Sequence, residues 1–199
     1  MRKDSDLKEV ESLGPSGGDL AAFYNTLERK NPKQFEALKR SIHQVLPSID
    51  KVHVEKTDQG LLRLSIEENG VPFSARVVSE GTLRVLGLLA IANSLSPLSV
   101  VGYEEPENGV HPRRMKLIAD IINMASQSGE GTQFIINTHS PILPEYFIDT
   151  GSILSCRREN LSTVFKPLYG GVFIKPNIER ALEEGSSYAE RVVRGDFGG

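Results

Sequence analysis

The sequence VVGYEEPENGVHP, residues 100–112, is the most informative about the fold, because an apolar run of strand length leads directly into two adjacent carboxylates. Residues 112–126 follow with apolar side chains three and four positions apart, and residues 134–136 form a second short apolar run. A strand, an amphipathic helix and another strand in this order predict a βαβ unit with parallel strands and a right-handed crossover. We therefore expect an α/β fold with a mainly parallel sheet.

The residues around this unit follow other patterns. Residues 1–18 are polar and end in a glycine-rich run, which predicts a flexible lead-in. Residues 19–78 contain two helices, the first capped by Asp19 and the second amphipathic. Alternating segments and a third candidate strand, residues 72–78, then predict a small antiparallel sheet with one wet face. Residues 79–176 are assigned to the α/β core, and residues 177–199 to a tail of one helix and polar coil.

Composition limits the function classes. The net charge is -3 and the sequence pI is about 5.9, so no general basic field attracts nucleic acid, and DNA binding would need a local patch such as Arg113 and Arg114. The single cysteine, Cys156, fits a reducing cytoplasm and, from its apolar neighbours, is expected in the core. No signal-peptide pattern and no apolar stretch of membrane-spanning length occur, so we expect a cytoplasmic protein without a membrane partner.

Glu104 and Glu105 are the first candidates for chemistry, since ligands of open α/β sheets bind at the carboxyl ends of the strands. Consecutive strand side chains point to opposite faces, so the two carboxylates should have different roles. One can hold Mg²⁺, and the other can orient and activate an attacking water. An acidic turn after a buried strand explains the same residues equally well.

Two other segments carry candidate phosphate contacts. Ser79 opens the apolar helix 82–92 as a plausible N-cap, and Gly81 would let a phosphate approach the backbone closely. His139 follows the second strand, at the edge expected for the glutamates, where it can donate a hydrogen bond to a phosphate oxygen. Each segment also has a structural interpretation, because most serine caps bind nothing and a lone histidine at a strand end is usually structural.

Taken together, these segments resemble an ABC-type ATPase in both order and spacing. Residues 79–82 resemble the signature motif, and residues 104–105 the end of Walker B. Residues 107–112 look like the D-loop region, and residues 138–141 like the switch-histidine segment. Over roughly residues 75–145, the residues of these motifs are similar to those of the RecF/SMC/OLD-like branch of predicted ATPases, also described as AAA ATP-binding proteins. This branch includes chromosome-maintenance, repair and phage-defence ATPases.

The resemblance implies the C-terminal portion of a P-loop NTPase-like domain that binds ATP and Mg²⁺ at a dimer interface. It implies a role for each matching residue. Glu104 would support Mg²⁺, Glu105 would position the attacking water, His139 would sense the γ-phosphate, Ser79, Glu80 and Gly81 would contact ATP held by the opposing subunit, and Asn108 would lie at the dimer seam. Within one chain, Ser79 should then lie well away from the glutamates.

One departure from the family pattern affects the function directly. The 199 residues contain no G-x-x-x-x-G-K-[ST], and the nearest imitation, residues 14–19, lacks the lysine. Backbone amides and that lysine supply most binding partners of a triphosphate. The chain alone is therefore expected to be inactive, with the P-loop supplied by a missing N-terminal region or by a partner chain. Self-association or such a chain are the expected partners, and DNA is a candidate.

Two other functions fit parts of the sequence. A degenerate, non-catalytic interaction module would keep the fold without turnover, and the missing P-loop favours it. The retained Glu105 and His139 argue against it. A metal-dependent nuclease could use the glutamate pair, but a TOPRIM-type site needs a further D-x-D element after a strand, which the sequence lacks.

Overall fold

The computed structural model forms two compact units that divide between Asn137 and Thr138. This division differs from the boundary at 78/79 expected from the sequence, because the antiparallel sheet and the βαβ unit belong to the same first unit. The tail expected over residues 177–199 lies outside the described part of the chain. The structure describes residues 1–96, 98–127, 131–150 and 152–167.

The first unit is a mixed α/β structure with both parallel and antiparallel strands, which confirms the predicted fold class. Its parallel sheet consists of two strands among the described residues. The elements in chain order are α1 (Leu20–Lys30), α2 (Pro32–Val45), β1 (Lys51–Lys56), β2 (Leu62–Glu68), β3 (Val71–Ser74), α3 (Glu80–Ala92), β4 (Val100–Glu104), a 3-10 turn (Pro112–Arg114), α4 (Met115–Gln127) and β5 (Gln133–Asn137).

The antiparallel sheet has the order β1-β2-β3. Val52 pairs with Ile66, and both are buried because alternate residues face the helices. The third strand is shorter than the predicted 72–78, since the Val77 N–H donates to the Ser74 carbonyl (3.1 Å) and turns the chain toward α3.

Helix α1 forms the centre of the core, and most of its residues are buried. Phe23, Tyr24 and Phe35 pack edge to face, with ring centroids 5.9 Å and 6.3 Å apart. The Tyr24 hydroxyl donates to the Leu86 carbonyl in α3 (3.1 Å), so the one polar atom of this buried ring is satisfied.

Asp19 precedes α1 as predicted, but the expected side-chain cap is absent. Both carboxylate oxygens instead accept from the Gly14 N–H at 3.2 Å. The carboxylate therefore closes the loop before the helix.

Residues 1–18 contain no helix or extended strand. The sequence predicted a flexible lead-in here, but specific contacts with β2 and α1 hold the segment. Ser5 and Leu62 exchange two backbone hydrogen bonds of 2.8 Å, which places Ser5 beside the start of β2. The Val10 N–H donates to the Thr26 hydroxyl in α1 (2.9 Å). These partners are 16 or more residues away in sequence, so local composition alone did not reveal them.

The βαβ unit has the predicted parallel strands. The register runs from Val100 opposite Gln133 to Glu104 opposite Asn137. Helix α4 connects the two strands and buries an apolar stripe with the predicted helical spacing. The stripe consists of Met115, Ile118, Ala119, Ile121, Ile122 and Ala125.

The second unit begins with a 3-10 helix, Leu143–Thr150, and continues with the antiparallel hairpin of β6 (Leu154–Glu159) and β7 (Ser162–Pro167). The prediction of a buried Cys156 is wrong: the residue is exposed, opposite an exposed Phe165. Its apolar neighbours alternate along a two-stranded hairpin, so they do not enclose it. No helix in the described ranges is long and apolar enough to cross a membrane.

Candidate functional site

Glu104 is the last residue of β4 and lies opposite Asn137 in the parallel pair. Its side chain is exposed, and its carboxylate has no hydrogen-bond or ion-pair partner among the described residues. An unengaged carboxylate at the carboxyl end of a parallel strand has its oxygens available to an incoming cation.

Glu105 has an unusual backbone conformation, with φ of 45° in the left-handed region. A non-glycine residue there costs about 1–2 kcal/mol, so surrounding contacts must hold it. The Glu105 N–H donates to both the carbonyl and the side-chain Oδ1 of Asn137, each at 3.1 Å. Its carbonyl accepts from the Asn108 N–H at 3.0 Å, which closes a turn.

Asn108 makes a second contact with Glu105, because its Nδ2 donates to Glu105 Oε2 at 3.3 Å. The carboxylate that resembles the water-positioning residue is therefore oriented by a side chain from the D-loop-like segment. Its backbone is fixed by the neighbouring strand. The backbone is extended at Glu104 and left-handed at Glu105, so the two side chains project from different backbone conformations.

Arg84 is a site residue that sequence reasoning missed. Its Nη1 donates to the Glu104 carbonyl at 2.8 Å and to the Glu105 carbonyl at 3.2 Å, and its Nη2 donates to Glu80 Oε1 at 3.1 Å. One guanidinium thus joins the signature-like helix to the end of β4. The spacing of Glu80 and Arg84 signals a helical i,i+4 pair, but their shared contact with β4 has no local sequence signal.

Tyr103 strengthens the same junction. Its hydroxyl donates to the Arg84 carbonyl at 2.8 Å, and burial raises the pKa of Tyr103 to about 12. The phenol therefore stays protonated and acts as a donor at neutral pH. This contact fixes the backbone of α3 against β4 one residue before the glutamates.

Gly81 and Gly109 bring two backbones into close contact. A Cβ added at Gly81 would lie 2.1 Å from the Gly109 carbonyl oxygen, and Gly109 itself has φ of 76°. The close approach of the two backbones requires glycine at position 81. The expected contact of Gly81 with a phosphate remains a prediction.

The first turn of α3 lies near the end of β4, because Arg84 contacts both Glu80 and the Glu104 carbonyl, while the separation expected between Ser79 and the glutamates stays a prediction. Because β4 is the next element after α3, the chain reverses direction between them, and the end of β4 lies near the start of α3. Ser79 is confirmed as the N-cap: its hydroxyl accepts from the Thr82 N–H at 3.1 Å. It also donates to the Thr82 hydroxyl at 2.8 Å. Ser79 and Glu80 are exposed.

His139 belongs to the second unit and follows Asn137 by two residues in the chain. Its side chain is exposed. The Thr138 hydroxyl accepts from the Ser140 N–H at 3.0 Å, and the Ser140 hydroxyl accepts from the Leu143 N–H at 3.3 Å at the start of the 3-10 helix. These bonds fix the segment around His139, and its placement beside the glutamates remains a prediction.

The carboxylates fit a magnesium ion that arrives with a nucleotide. Mg²⁺ is commonly bound by one or two carboxylates together with water and substrate phosphates. In the described ranges, no group of three or more His, Cys, Asp or Glu side chains could hold a metal ion. Glu104 and Glu105 supply carboxylate oxygens, a donor type that suits Mg²⁺, and a site that they share with a nucleotide remains a prediction.

The family described as "AAA domain, putative AbiEii toxin, Type IV TA system" matches residues 3–143, more than half of the chain. The chain belongs to this AAA-domain family. The matched range includes residues 79–82, 104–112 and 138–141, the segments that resemble ABC-type ATPase motifs. A comparison with curated proteins gives no significant match.

Solved structures of SMC ATPases share the fold of this AAA-domain chain. One, from work on ATP-driven dimerization and DNA-stimulated activation, has a TM-score of 0.56 at 14% identity, covering 82% of this chain and 98% of that one. The Smc head with coiled coil of Pyrococcus yayanosii has a TM-score of 0.57 at 13% identity, covering 81% and 31%. The Smc head of Pyrococcus furiosus, bound to the C-terminal domain of ScpA, has a TM-score of 0.55 at 15% identity, covering 81% of this chain and 39% of that one.

The AAA-domain chain thus spans less than half of either Pyrococcus protein chain. At these identities the similarity establishes a fold, that of the SMC ATPase head. The family match independently places the chain among AAA-domain proteins.

Proposed function

We propose that this chain is the C-terminal part of an ABC-type ATPase that hydrolyses ATP across a dimer interface. The P-loop comes from an N-terminal region or from a partner chain. The observation that carries the proposal is Glu105, a carboxylate held in a left-handed conformation by Asn137 and Asn108. Strain maintained by several contacts is characteristic of functional positions.

Each carboxylate has a distinct proposed role. Glu105 accepts a proton from the attacking water, and the Asn108 amide holds its Oε2 in place. Glu104, exposed and unengaged among the described residues, would hold the Mg²⁺. When bound, the metal neutralises charge that develops on the phosphate oxygens. His139 donates a hydrogen bond to the γ-phosphate.

The parallel sheet itself supports the addition of further elements. Parallel sheets are normally covered on both faces. On one face of the β4–β5 pair, Val100 is 55% exposed, Ile135 is 62% exposed, and a Cβ added at Gly102 would meet no atom within 4 Å. The exposed face ends at Glu104 and Asn137, so elements that cover it would adjoin the proposed nucleotide site.

The signature-like segment acts on the opposite subunit in this proposal. Ser79, Glu80 and Gly81 contact ATP held by a second copy, with Asn108 near the seam. The exposure of Ser79 and Glu80 supports this assignment. Dimerization driven by ATP is a property of the SMC ATPase described above, and we extend it to this chain. A cytoplasmic role in DNA maintenance or defence, with DNA as a further partner, completes the proposal.

The test restores the P-loop by fusion or by adding the chain that carries it. Mg²⁺-dependent ATP hydrolysis is then expected, and Glu105→Gln should lower it by ~10²–10⁴-fold, the usual contribution of general-base catalysis. ATP binding should survive, because the substitution removes a negative charge near the γ-phosphate. Glu28→Gln, at an exposed position in α1, is the matched control.

The alternative is a non-catalytic interaction module with the same fold, favoured by the missing P-loop motif. It predicts a reconstituted protein that binds ATP and never hydrolyses it, with or without DNA. That result would replace the ATPase proposal.

A further inference from the structure

Residues 2–5 hold the linker that leads into the signature-like helix. Arg2 Nη1 donates to the Arg76 carbonyl at 3.1 Å and to the Val78 carbonyl at 2.6 Å. Val78 immediately precedes the N-cap Ser79. A single guanidinium therefore fixes two carbonyls of the linker, residues 75–78.

Asp4 closes a ring of contacts around the same linker. Its Oδ1 accepts from Arg63 Nε at 3.2 Å, and its Oδ2 accepts from Arg63 Nη2 and from Arg76 Nη2, each at 2.9 Å. The Asp4 side chain is only 5% exposed, so it is a buried acceptor shared by β2 and the linker. Charge-assisted, two-pronged pairs of this kind have defined geometry and are stronger than neutral hydrogen bonds.

The neighbours of Arg2 and Asp4 anchor the segment on both sides. Ser5 exchanges two backbone hydrogen bonds with Leu62. The side chain of Met1 lies against α3, since a Cβ at Gly87 would be 3.1 Å from its sulfur. Residues 1–5 together therefore contact β2, the linker and α3.

We propose that residues 2–5 act as a clamp, in which Arg2 and Asp4 are positioning residues that set where Ser79 and the start of α3 lie. The significance of that position for catalysis rests on the proposed ATPase function. The clamp itself is a property of the folded chain and can be tested without nucleotide.

The clamp has a local consequence that hydrogen exchange can measure. Three amides report on the linker and the first turn of α3: Ala75 donates to Leu64, Val77 to Ser74, and Thr82 to the Ser79 hydroxyl. The Asp50 amide, bonded to the Glu67 carbonyl (2.8 Å) at the far end of the sheet, reports on the rest of the unit. Loss of the clamp should open the linker and leave this distant bond intact.

The experiment compares amide exchange in the full chain and in two variants, Arg2→Ala and Asp4→Asn. Exchange over residues 75–82 should rise about ten- to a hundredfold, as expected for lost hydrogen bonds to charged groups, while exchange at Asp50 stays unchanged. Lys3→Ala, within the clamp, and Asp6→Asn, next to it, alter exposed side chains and should have no effect.

Two results would overturn the clamp. Exchange over residues 75–82 that rises less than about twofold in Arg2→Ala would show that the linker is held by other contacts. A uniform rise that includes Asp50 would show that Arg2 and Asp4 stabilise the unit as a whole and position nothing. If Asp4→Asn does not fold, Arg2→Ala decides alone, since it removes only the two carbonyl contacts.

The same variants separate the clamp from the ATPase proposal. In the reconstituted enzyme, Arg2→Ala should lower turnover and leave ATP affinity unchanged. A local rise in exchange without any wild-type hydrolysis would retain the clamp and reject the ATPase. Normal hydrolysis without a local rise in amide exchange would retain the ATPase and reject the clamp.

Discussion

The contact between Gly81 and Gly109 gives a sharp test of the junction between α3 and the D-loop-like turn. Gly81→Ala would place a methyl carbon 2.1 Å from the Gly109 carbonyl oxygen and 2.4 Å from its carbon. The two backbones must separate until the contact exceeds about 3.0 Å, and no side-chain rotation can relieve it. Because backbone meets backbone, the cost should lie near the upper end of the roughly 1–3 kcal/mol typical of overpacking, and the helix propensity of alanine recovers about 1 kcal/mol, so we expect a loss of about 2 kcal/mol.

Urea denaturation followed by circular dichroism measures this loss as a lower midpoint. Gly102→Ala is the matched control, because that glycine lies in β4 and the added methyl group would meet no atom within 4 Å. Its stability should change by less than about 0.5 kcal/mol. If the stability of Gly81→Ala also changes by less than about 0.5 kcal/mol, the two glycines do not approach closely in solution, and α3 does not pack against the D-loop-like turn as described.

Further predictions concern strain, nucleotide binding and pH. Glu105→Gly should be about 1 kcal/mol more stable than Glu105→Ala in urea denaturation, since both variants lose the Asn108 contact and glycine alone adopts φ of 45° without strain; the reverse order would contradict the strained geometry. Calorimetry of the isolated chain with ATP and Mg²⁺ should show weak or no binding; a low-micromolar dissociation constant, roughly 8 kcal/mol, would reveal a phosphate site elsewhere. The Arg63 hydrogen bonds lower the pKa of Asp4 below 3.8, so its contribution to stability is complete above that pH and is lost as pH falls through the lower, folded-state pKa. Asp4→Asn should remove this acid dependence from urea midpoints measured across the pH series, and an unchanged profile would show that other carboxylates cause it.

The sequence predicted the elements whose signals are local. Hydrophobic periodicity indicated the helices, the alternating sheet and the βαβ unit, because each depends on spacing within about fifteen residues. The parallel pairing followed from the order of those elements. Ser79 was identified as an N-cap from its position before an apolar helix, and the structure confirms it.

Contacts between distant residues could not be predicted in the same way. Arg84 reaches carbonyls 20 and 21 residues away, and Arg2 reaches carbonyls 74 and 76 residues away. Backbone carbonyls are present in every residue, so the sequence gives no signal for which one a guanidinium will meet. The buried Cys156 was wrongly predicted for a related reason: apolar neighbours indicate a strand, but burial depends on what packs against that strand.

Complementation between two inactive variants tests whether two chains share a composite ATPase site. Ser79→Arg blocks the signature that serves the opposing ATP, and Glu105→Gln removes the base in its own site. Each variant, reconstituted with the P-loop, should be inactive alone. In a mixed dimer, one of the two sites combines an intact Ser79 with an intact Glu105, so random mixing should restore about a quarter of wild-type hydrolysis. Mixed dimers that form and bind ATP but show no hydrolysis would contradict independent sites composed from both chains.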